Sequence, residues 1–165
     1  MRAVVVDTNV AVVANGRAEQ ASLDCQQACL DELKKIKERE MVVLDDAMHI
    51  LKEYMDNLSL SGQPGLGDAF FKWVWDNQAN TTRCEMVHVT PKSDREDDFE
   101  EFPKDPALAG FDPSDRKFVA VARASRHKPP VLNAVDTDWW IFRTPLKKHK
   151  VRVKFLCPEH MKERK

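Results

Sequence analysis

Ala3-Val4-Val5-Val6-Asp7-Thr8-Asn9 is an unbroken apolar run, mostly β-branched, that stops at an acid. Continuous rather than alternating apolar residues mark a strand covered on both faces, which is the habit of parallel sheets. An acid directly after such a strand stands at its carboxyl end, where open α/β sheets bind their ligands. Two more features repeat this grammar. Val131-Leu132-Asn133-Ala134-Val135 runs into Asp136, and Met41-Val42-Val43-Leu44 runs into Asp45 and Asp46.

Between these strands the spacing turns helical. Ala21, Cys25, Ala28, Cys29, Leu33 and Ile36 recur at intervals of three and four, predicting a helix over about 18–39. Lys34, Lys35, Lys37 and Arg39 load its last turns, as the helix dipole favours. Asp45 or Asp46 is placed to cap a helix reaching about Leu58. A turn-rich stretch, Ser59 to Gly67, precedes a helix over Asp68–Asn77 with Phe70, Phe71, Val74 and Trp75. Residues 84–89 read as a strand and 91–113 as a long acidic connection. Asp112 then serves as an N-cap, Pro113 fits the first helical position, and Asp115 falls in the first turn of a helix running to about Ser125. Pro129-Pro130 stops that helix, and Val151–Leu156 supplies the last strand. Alternating strands and helices predict an α/β three-layer sandwich, with a central, mainly parallel sheet of about five strands and helices on both faces. At 165 residues the expectation is one domain, 1–165, with an acidic insert at about 91–113.

Composition narrows the function classes. Apolar residues make up 42% and charged residues 32%, which places the chain among soluble globular proteins and not disordered ones. No stretch approaches the roughly 18 apolar residues of a membrane span. The first residues lack the basic and apolar regions of a secretory signal, so a cytoplasmic location is expected. Cys25 and Cys29 are spaced to face the core together. Cys157 and His160 stand three apart, with no second pair at zinc-finger spacing, so the cysteines are read as structural or incidental thiols.

The net charge of −1 conceals a division. Residues 1–92 carry 10 basic and 14 acidic side chains, residues 93–115 carry 2 and 9, and residues 116–165 carry 14 and 4. A basic final third suits a polyanion held beside an acidic metal site; a solvated, charge-balancing surface is the alternative. The acidic run from Asp94 to Glu101 reads as a solvated loop. Lys117, Arg123, Arg126, Arg143, Lys147 and Lys148 are the candidate backbone contacts. Trp139 and Trp140 follow a buried strand and read as core, with base stacking as the alternative.

Asp7, Glu53, Asp115 and Asp136 therefore form a candidate set of oxygen donors, the ligand type that hard divalent cations prefer. Asp7 and Asp136 end strands, Asp115 opens a helix, and Glu53 sits beside the apolar face of another helix, an unusual place for an unpaired acid.

In order along the chain, Val-Val-Asp-Thr-Asn at 5–9, Leu-Lys-Glu-Tyr at 51–54, Ser-Asp-Arg-Lys-Phe-Val-Ala-Val-Ala at 114–122 and Val-Asp-Thr-Asp-Trp-Trp at 135–140 resemble the PIN-domain family of nucleases. The closing Val151–Met161 segment, a strand followed by Pro158 and Glu159, is similar as well. The resemblance implies Mg2+ or Mn2+ held by Asp7, Glu53, Asp115 and Asp136, with Asn9 supporting the first acid and Asp138 a further acid near metal-held water. It implies hydrolysis of single-stranded RNA, and for small members a toxin's role, with an antitoxin or inhibitor protein as partner and a homodimer as the assembly. The chain departs from the pattern twice. Gly62–Gly110 is longer than in small members, and Ala134 stands where a Thr or Ser is usual. A DNA or flap-type nuclease and a catalytically silent RNA-binding domain are the alternatives. An aspartyl-nucleophile phosphatase fits less well, since Asn9 breaks the Asp-x-Asp pattern.

Overall fold

The computed structural model describes residues 1–161. The last four residues, part of the basic final third, lie outside the described residues. In chain order the elements are β1 (Arg2–Val6), α1 (Thr8–Ala14), α2 (Leu23–Arg39), β2 (Glu40–Asp45), α3 (His49–Asn57), α4 (Leu66–Asn77), β3 (Cys84–Val87), β4 (Pro91–Lys92), β5 (Arg95–Phe99), α5 (Arg116–Ala124), β6 (Val131–Asn133), α6 (Asp138–Ile141), α7 (Arg143–Lys148) and β7 (Val153–Phe155). Short 3-10 turns cover Pro106–Leu108, Pro113–Asp115 and Pro158–His160.

Five strands form one parallel sheet in the order β3-β2-β1-β6-β7. The chain steps outward from β1 to β2 to β3, then crosses back to β6 and continues to β7. Crossovers between parallel strands are right-handed, so steps in opposite directions lay their helices on opposite faces. Accordingly α1, α2 and α4 pack on one another, while α5 packs on β1, β2 and β6. The sandwich has the three layers expected of it. Val4–Val6, Val42–Leu44 and Val131–Leu132 are all buried, as strands covered on both faces must be. No described helix is long and apolar enough to cross a membrane.

Caps and close contacts explain where elements start. Met48, the N-cap residue of α3, offers no side-chain bond; instead the Asp45 carboxylate accepts from the backbone N–H groups of Ala47, His49 and Ile50 and pairs with the His49 ring. Burial pushes its pKa up, but those hydrogen bonds outweigh it and hold the group below the usual carboxylate range. Asp68 accepts from Ser59 N and Gly65 N and pairs with Asn15 in the turn after α1. There α4 rides directly on α1, and a Cβ built on Gly67 would lie 2.0 Å from the Ala11 carbonyl oxygen.

Several boundaries and elements differ from expectation. Thr8–Ala14, for which no element is expected, form α1, with Asp7 as its N-cap. Residues 138–148, for which no element is expected, form α6 and α7. The strands expected at 84–89, 131–135 and 151–156 are shorter, and α2 begins at Leu23. Residues 91–113 are not a plain solvated connection. β4 and β5 form an antiparallel hairpin, with Asp98 buried against Arg116 at 3.1 Å and Lys92 at 3.4 Å. Phe99, Phe102, Leu108 and Phe111 are buried beneath it, whereas Asp94–Asp97 are exposed as expected. Cys25 and Cys29 do face the core. Cys25 is not a free thiol, however: it is disulfide-bonded to Cys157, tying α2 to the segment after β7.

The α1–α4 crossing yields a stability prediction. Gly67→Ala should lower the free energy of unfolding by about 1–3 kcal/mol, the usual cost of forcing a group into a filled contact. Urea unfolding of both proteins measures it, and an unchanged midpoint would refute so close an approach of the two helices.

Candidate active site

Strand order decides where the acids meet. β1 is flanked by β2 on one side and β6 on the other, so the chain's path reverses direction between β1 and β6. Such switch points leave a crevice beyond the carboxyl ends of the two strands. Val5 is level with Val131 and Val6 with Leu132, which brings Asp7 alongside Asn133. The seam is closed by Asp7 N–H donating to the Leu132 carbonyl at 3.2 Å.

An amide pair fixes the crevice. Asn9 Nδ2 donates to Asn133 Oδ1 at 2.9 Å, and Asn9 Oδ1 accepts from Ala134 N at 2.8 Å and Val135 N at 3.3 Å. Asn133 in turn donates to the Asp136 carbonyl at 2.9 Å and accepts from Asp136 N at 3.3 Å. The turn that carries Asp136 is thus held by two side-chain amides. Asp136 Oδ1 accepts from Asp138 N at 2.9 Å, which starts α6. The Asn9 side chain, expected to support the first acid, instead holds the Asp136 turn, and only its backbone N–H reaches Asp7. Ala134 takes part through its backbone N–H, a contact that needs no hydroxyl side chain.

Asp7 is 4% exposed and doubly anchored. Oδ1 accepts from Asn9 N at 2.9 Å, and Oδ2 accepts from the Trp139 indole at 2.8 Å. Trp139 is core, as expected, yet it also aims the first acid. Asp115 ends the 3-10 turn capped by Asp112 and sits at the N-terminus of α5. One carboxylate oxygen from each of Asp7, Asp115 and Asp136 lies within 4.8 Å of the other two. The three come from the ends of β1 and β6 and the start of α5.

Glu53 and Asp138 stand apart from this cluster. Glu53 faces the crevice from α3, sharing a cavity of about 320 Å³ with Asp7, Thr8, Asn9 and Asn57. Its carboxylate is paired with Lys117 Nζ at 2.6 Å and accepts from the Thr8 hydroxyl. Tyr54, next to it, donates to the Val6 carbonyl at 2.5 Å and so pins α3 to the end of β1. Asp138 is half-buried beside Asp136, and burial together with that neighbour raises its pKa.

Of the cations expected to meet a polyanion, only Lys117 reaches the acids. Arg123 Nη1 donates to the Glu101 carbonyl at 2.6 Å, Arg126 and Lys148 are exposed, and Arg143 and Lys147 line a separate cleft. Asn133, Thr8 and Trp139 complete the site without having been picked out as site residues.

The electrostatics invite a cation. Burial, then its acidic neighbours Glu53 and Asp136, push Asp7 up to about 7 against its hydrogen bonds from Asn9 and Trp139. Burial, the charge of Asp7 and a shared hydrogen bond with Asp136 push Asp115 up to about 10. Without a counter-ion Asp115 keeps its proton at neutral pH and shares it by hydrogen bond with Asp136, because like charges this near resist joint ionisation. Hard oxygen donors in this state suit Mg2+ or Mn2+, whose binding would displace the proton. No family model matches this chain, and no match was found among curated proteins or among solved structures.

The raised pKa values fix the sign of a pH effect. Unfolded aspartates titrate near 4, so between there and about 7 for Asp7, and about 10 for Asp115, the folded chain binds more protons. Stability of the metal-free protein should therefore fall as pH rises from 5 to 9, by at most about 1.4 kcal/mol per pH unit for each group. Asp115→Asn should flatten that slope, and excess Mn2+ should raise the melting temperature most at high pH. Thermal melts in chelator and in Mn2+ measure both; a pH-independent melt in chelator would contradict the shared proton.

Proposed function

We propose that this chain is a metal-dependent endoribonuclease that hydrolyses phosphodiester bonds in single-stranded RNA. The observation that carries the reading is the meeting of Asp7, Asp115 and Asp136, more than 100 residues apart at the extremes, at the switch point of a parallel sheet. The PIN-like motifs of the sequence carry these same three acids, and the Asn9 side chain supports the reading by tying the β1 end to the turn that bears Asp136.

Asp7, Asp115 and Asp136 would hold Mg2+ or Mn2+, with Glu53 and Asp138 at the margin. When bound, the metal would supply positive charge against the attacked phosphate and would lower the pKa of the attacking water. The protein supplies placement. Asn9 and Trp139 fix the orientation of Asp7, and the Asn9–Asn133 pair fixes the turn bearing Asp136. Glu53 faces the crevice as a carboxylate able to accept the proton of the attacking water, once its contact with Thr8 or Lys117 loosens. Lys117 then offers its charge to the substrate backbone. The arrangement uses no nucleophilic side chain and no glycine-rich phosphate loop. A toxin-like role with an antitoxin or inhibitor, a homodimer and a cytoplasmic location belong to the same proposal. The Cys25–Cys157 disulfide weighs against the last of these, because such bonds persist in oxidising compartments.

Purified protein should cut labelled single-stranded RNA in Mg2+ or Mn2+, with chelator abolishing the reaction. Asp7→Asn should lower kcat by about 10²-fold or more, the scale of losing one preorganised charge-stabilising group. Cutting of matched DNA alone would keep the site and replace the substrate. Tight RNA binding without cutting in either metal would remove the catalytic reading.

A further inference from the structure

The amino ends of β1, β6 and β7 border a cleft of about 1040 Å³. Its walls include Arg2 at the start of β1, Lys128 and Pro130 before β6, Arg152 before β7, and Arg143 and Lys147 on α7. Asp7 and Asp136 follow the opposite ends of β1 and β6. At about 3.3 Å per residue, the five residues of β1 alone put roughly 15 Å between the two places. The cationic end of the cleft is therefore distinct from the acidic crevice, and the cleft runs from there along β7 to Phe155, which is level with Asn133.

Its charge is one-sided. No aspartate or glutamate lines it. Two of its lining groups have outside partners: Lys154 pairs with Glu32 at 3.1 Å and His127 faces Glu85 at 3.5 Å. Arg2, Lys128, Arg143, Lys147 and Arg152 form no ion pair among the described residues. Five such cations around one concavity, in a chain whose net charge is −1, repel one another at a cost that a polyanion would remove. The aromatic content of the wall narrows the class. The Arg143 guanidinium lies 3.6 Å from the centre of the Trp140 ring, and Trp140 meets Phe155 edge-on at 5.3 Å. Phe155 itself lines the cleft. A planar guanidinium held on an aromatic ring, with a second ring beside it, suits stacking by bases; an acidic peptide has no use for that surface.

We propose that this cleft is a second binding site for single-stranded RNA, gripping its phosphodiester backbone with the cations at the amino ends of β1, β6 and β7. The cations neutralise phosphates, and Arg143, backed by Trp140, receives a base with Phe155. The assignment stands on the cleft's own charge and shape and holds whether or not the acidic crevice is catalytic.

The test is binding of a labelled single-stranded RNA of about 20 nucleotides, by fluorescence anisotropy, in chelator, with Asp7→Asn as the parent protein so that no cutting intervenes. Adding Lys128→Ala, Lys147→Ala and Arg152→Ala should weaken binding at least about tenfold at 0.1 M salt. It should also reduce the salt slope by about 2, as expected for three lost phosphate contacts at ~0.7 each. Adding Lys52→Ala, Lys72→Ala and Lys104→Ala removes the same charge from exposed positions elsewhere, and should change affinity less than about threefold. Arg143→Lys keeps the charge and removes the planar stack; it should weaken RNA while leaving inorganic polyphosphate binding unchanged. Melting curves confirm that each variant folds. Equal losses from the two triple variants would overturn the site. So would a parent that binds no RNA, which would leave an acidic protein as the occupant to seek.

Discussion

The amide pair between Asn9 and Asn133 is the contact on which the candidate site depends. Parallel pairing brings the ends of β1 and β6 level, but pairing alone leaves the chain beyond them free to diverge. Asn9 stops that by bonding Asn133 and the two backbone N–H groups after it, and Asn133 closes the ring onto both backbone groups of Asp136. Asn133 is wholly buried, so each of these bonds replaces water that cannot reach it. Loss of Asn9 would leave the Ala134 N–H without its acceptor, while Asn133 would keep its two bonds to Asp136. This is why an asparagine interrupts an otherwise apolar strand.

The same contact creates an electrostatic problem that the rest of the fold must absorb. It places Asp136 beside Asp7 and Asp115, three carboxylates in a poorly hydrated crevice. Several features offset part of that repulsion. Parallel α/β connectivity starts α1 at Asp7 and α5 at Asp115, so the positive ends of two helix dipoles lie at two of the acids. The indole of Trp139 donates to Asp7, and Lys117 neutralises Glu53 next door. What remains raises the pKa of Asp7 and of Asp115, and the protons held there are what a bound divalent cation would displace. The hydrophobic sheet beneath supplies the stability that lets such a crevice persist.

The acids themselves were legible because each stands at a change of pattern: Asp7 and Asp136 where apolar runs stop, Asp115 where a helical period opens. Their supports were not. Asn133 lies inside a run that otherwise reads as strand, and Trp139 satisfies the core so well that its indole hydrogen bond leaves no trace in the spacing. Helix α1 was hidden by Val10, Val12 and Val13, whose β-branching favours extended backbone; burial against α2 and α4 and the Asp7 cap override that preference. Residues 138–148 show no clean period, and Pro145 obscures α7, although a proline in a first turn removes no bond the helix needs. In the acidic segment, the visible signal was charge, while the ordering comes from Phe99, Phe102 and Phe111 and from Asp98 meeting Arg116. The Cys25–Cys157 pairing spans 132 residues and follows from topology, which brings the tail after β7 back over α2.

The strands also sort charge along their own axis. Their carboxyl ends gather Asp7, Asp115 and Asp136 at the positive ends of helices, and their amino ends gather Arg2, Lys128 and Arg152 around a cleft without a carboxylate. Helix C-termini, which bear partial negative charge, fall at that amino end, so cations there are favoured by the same dipoles that favour acids at the other. Among the described residues, these cations are thereby kept from neutralising the crevice, and Lys117 reaches it from α5. A polar polymer long enough to span both ends would find charge neutralisation at one and a cation-hungry cluster of oxygens at the other. Parallel connectivity, set by the buried valine runs of β1, β2 and β6, is what imposes this division.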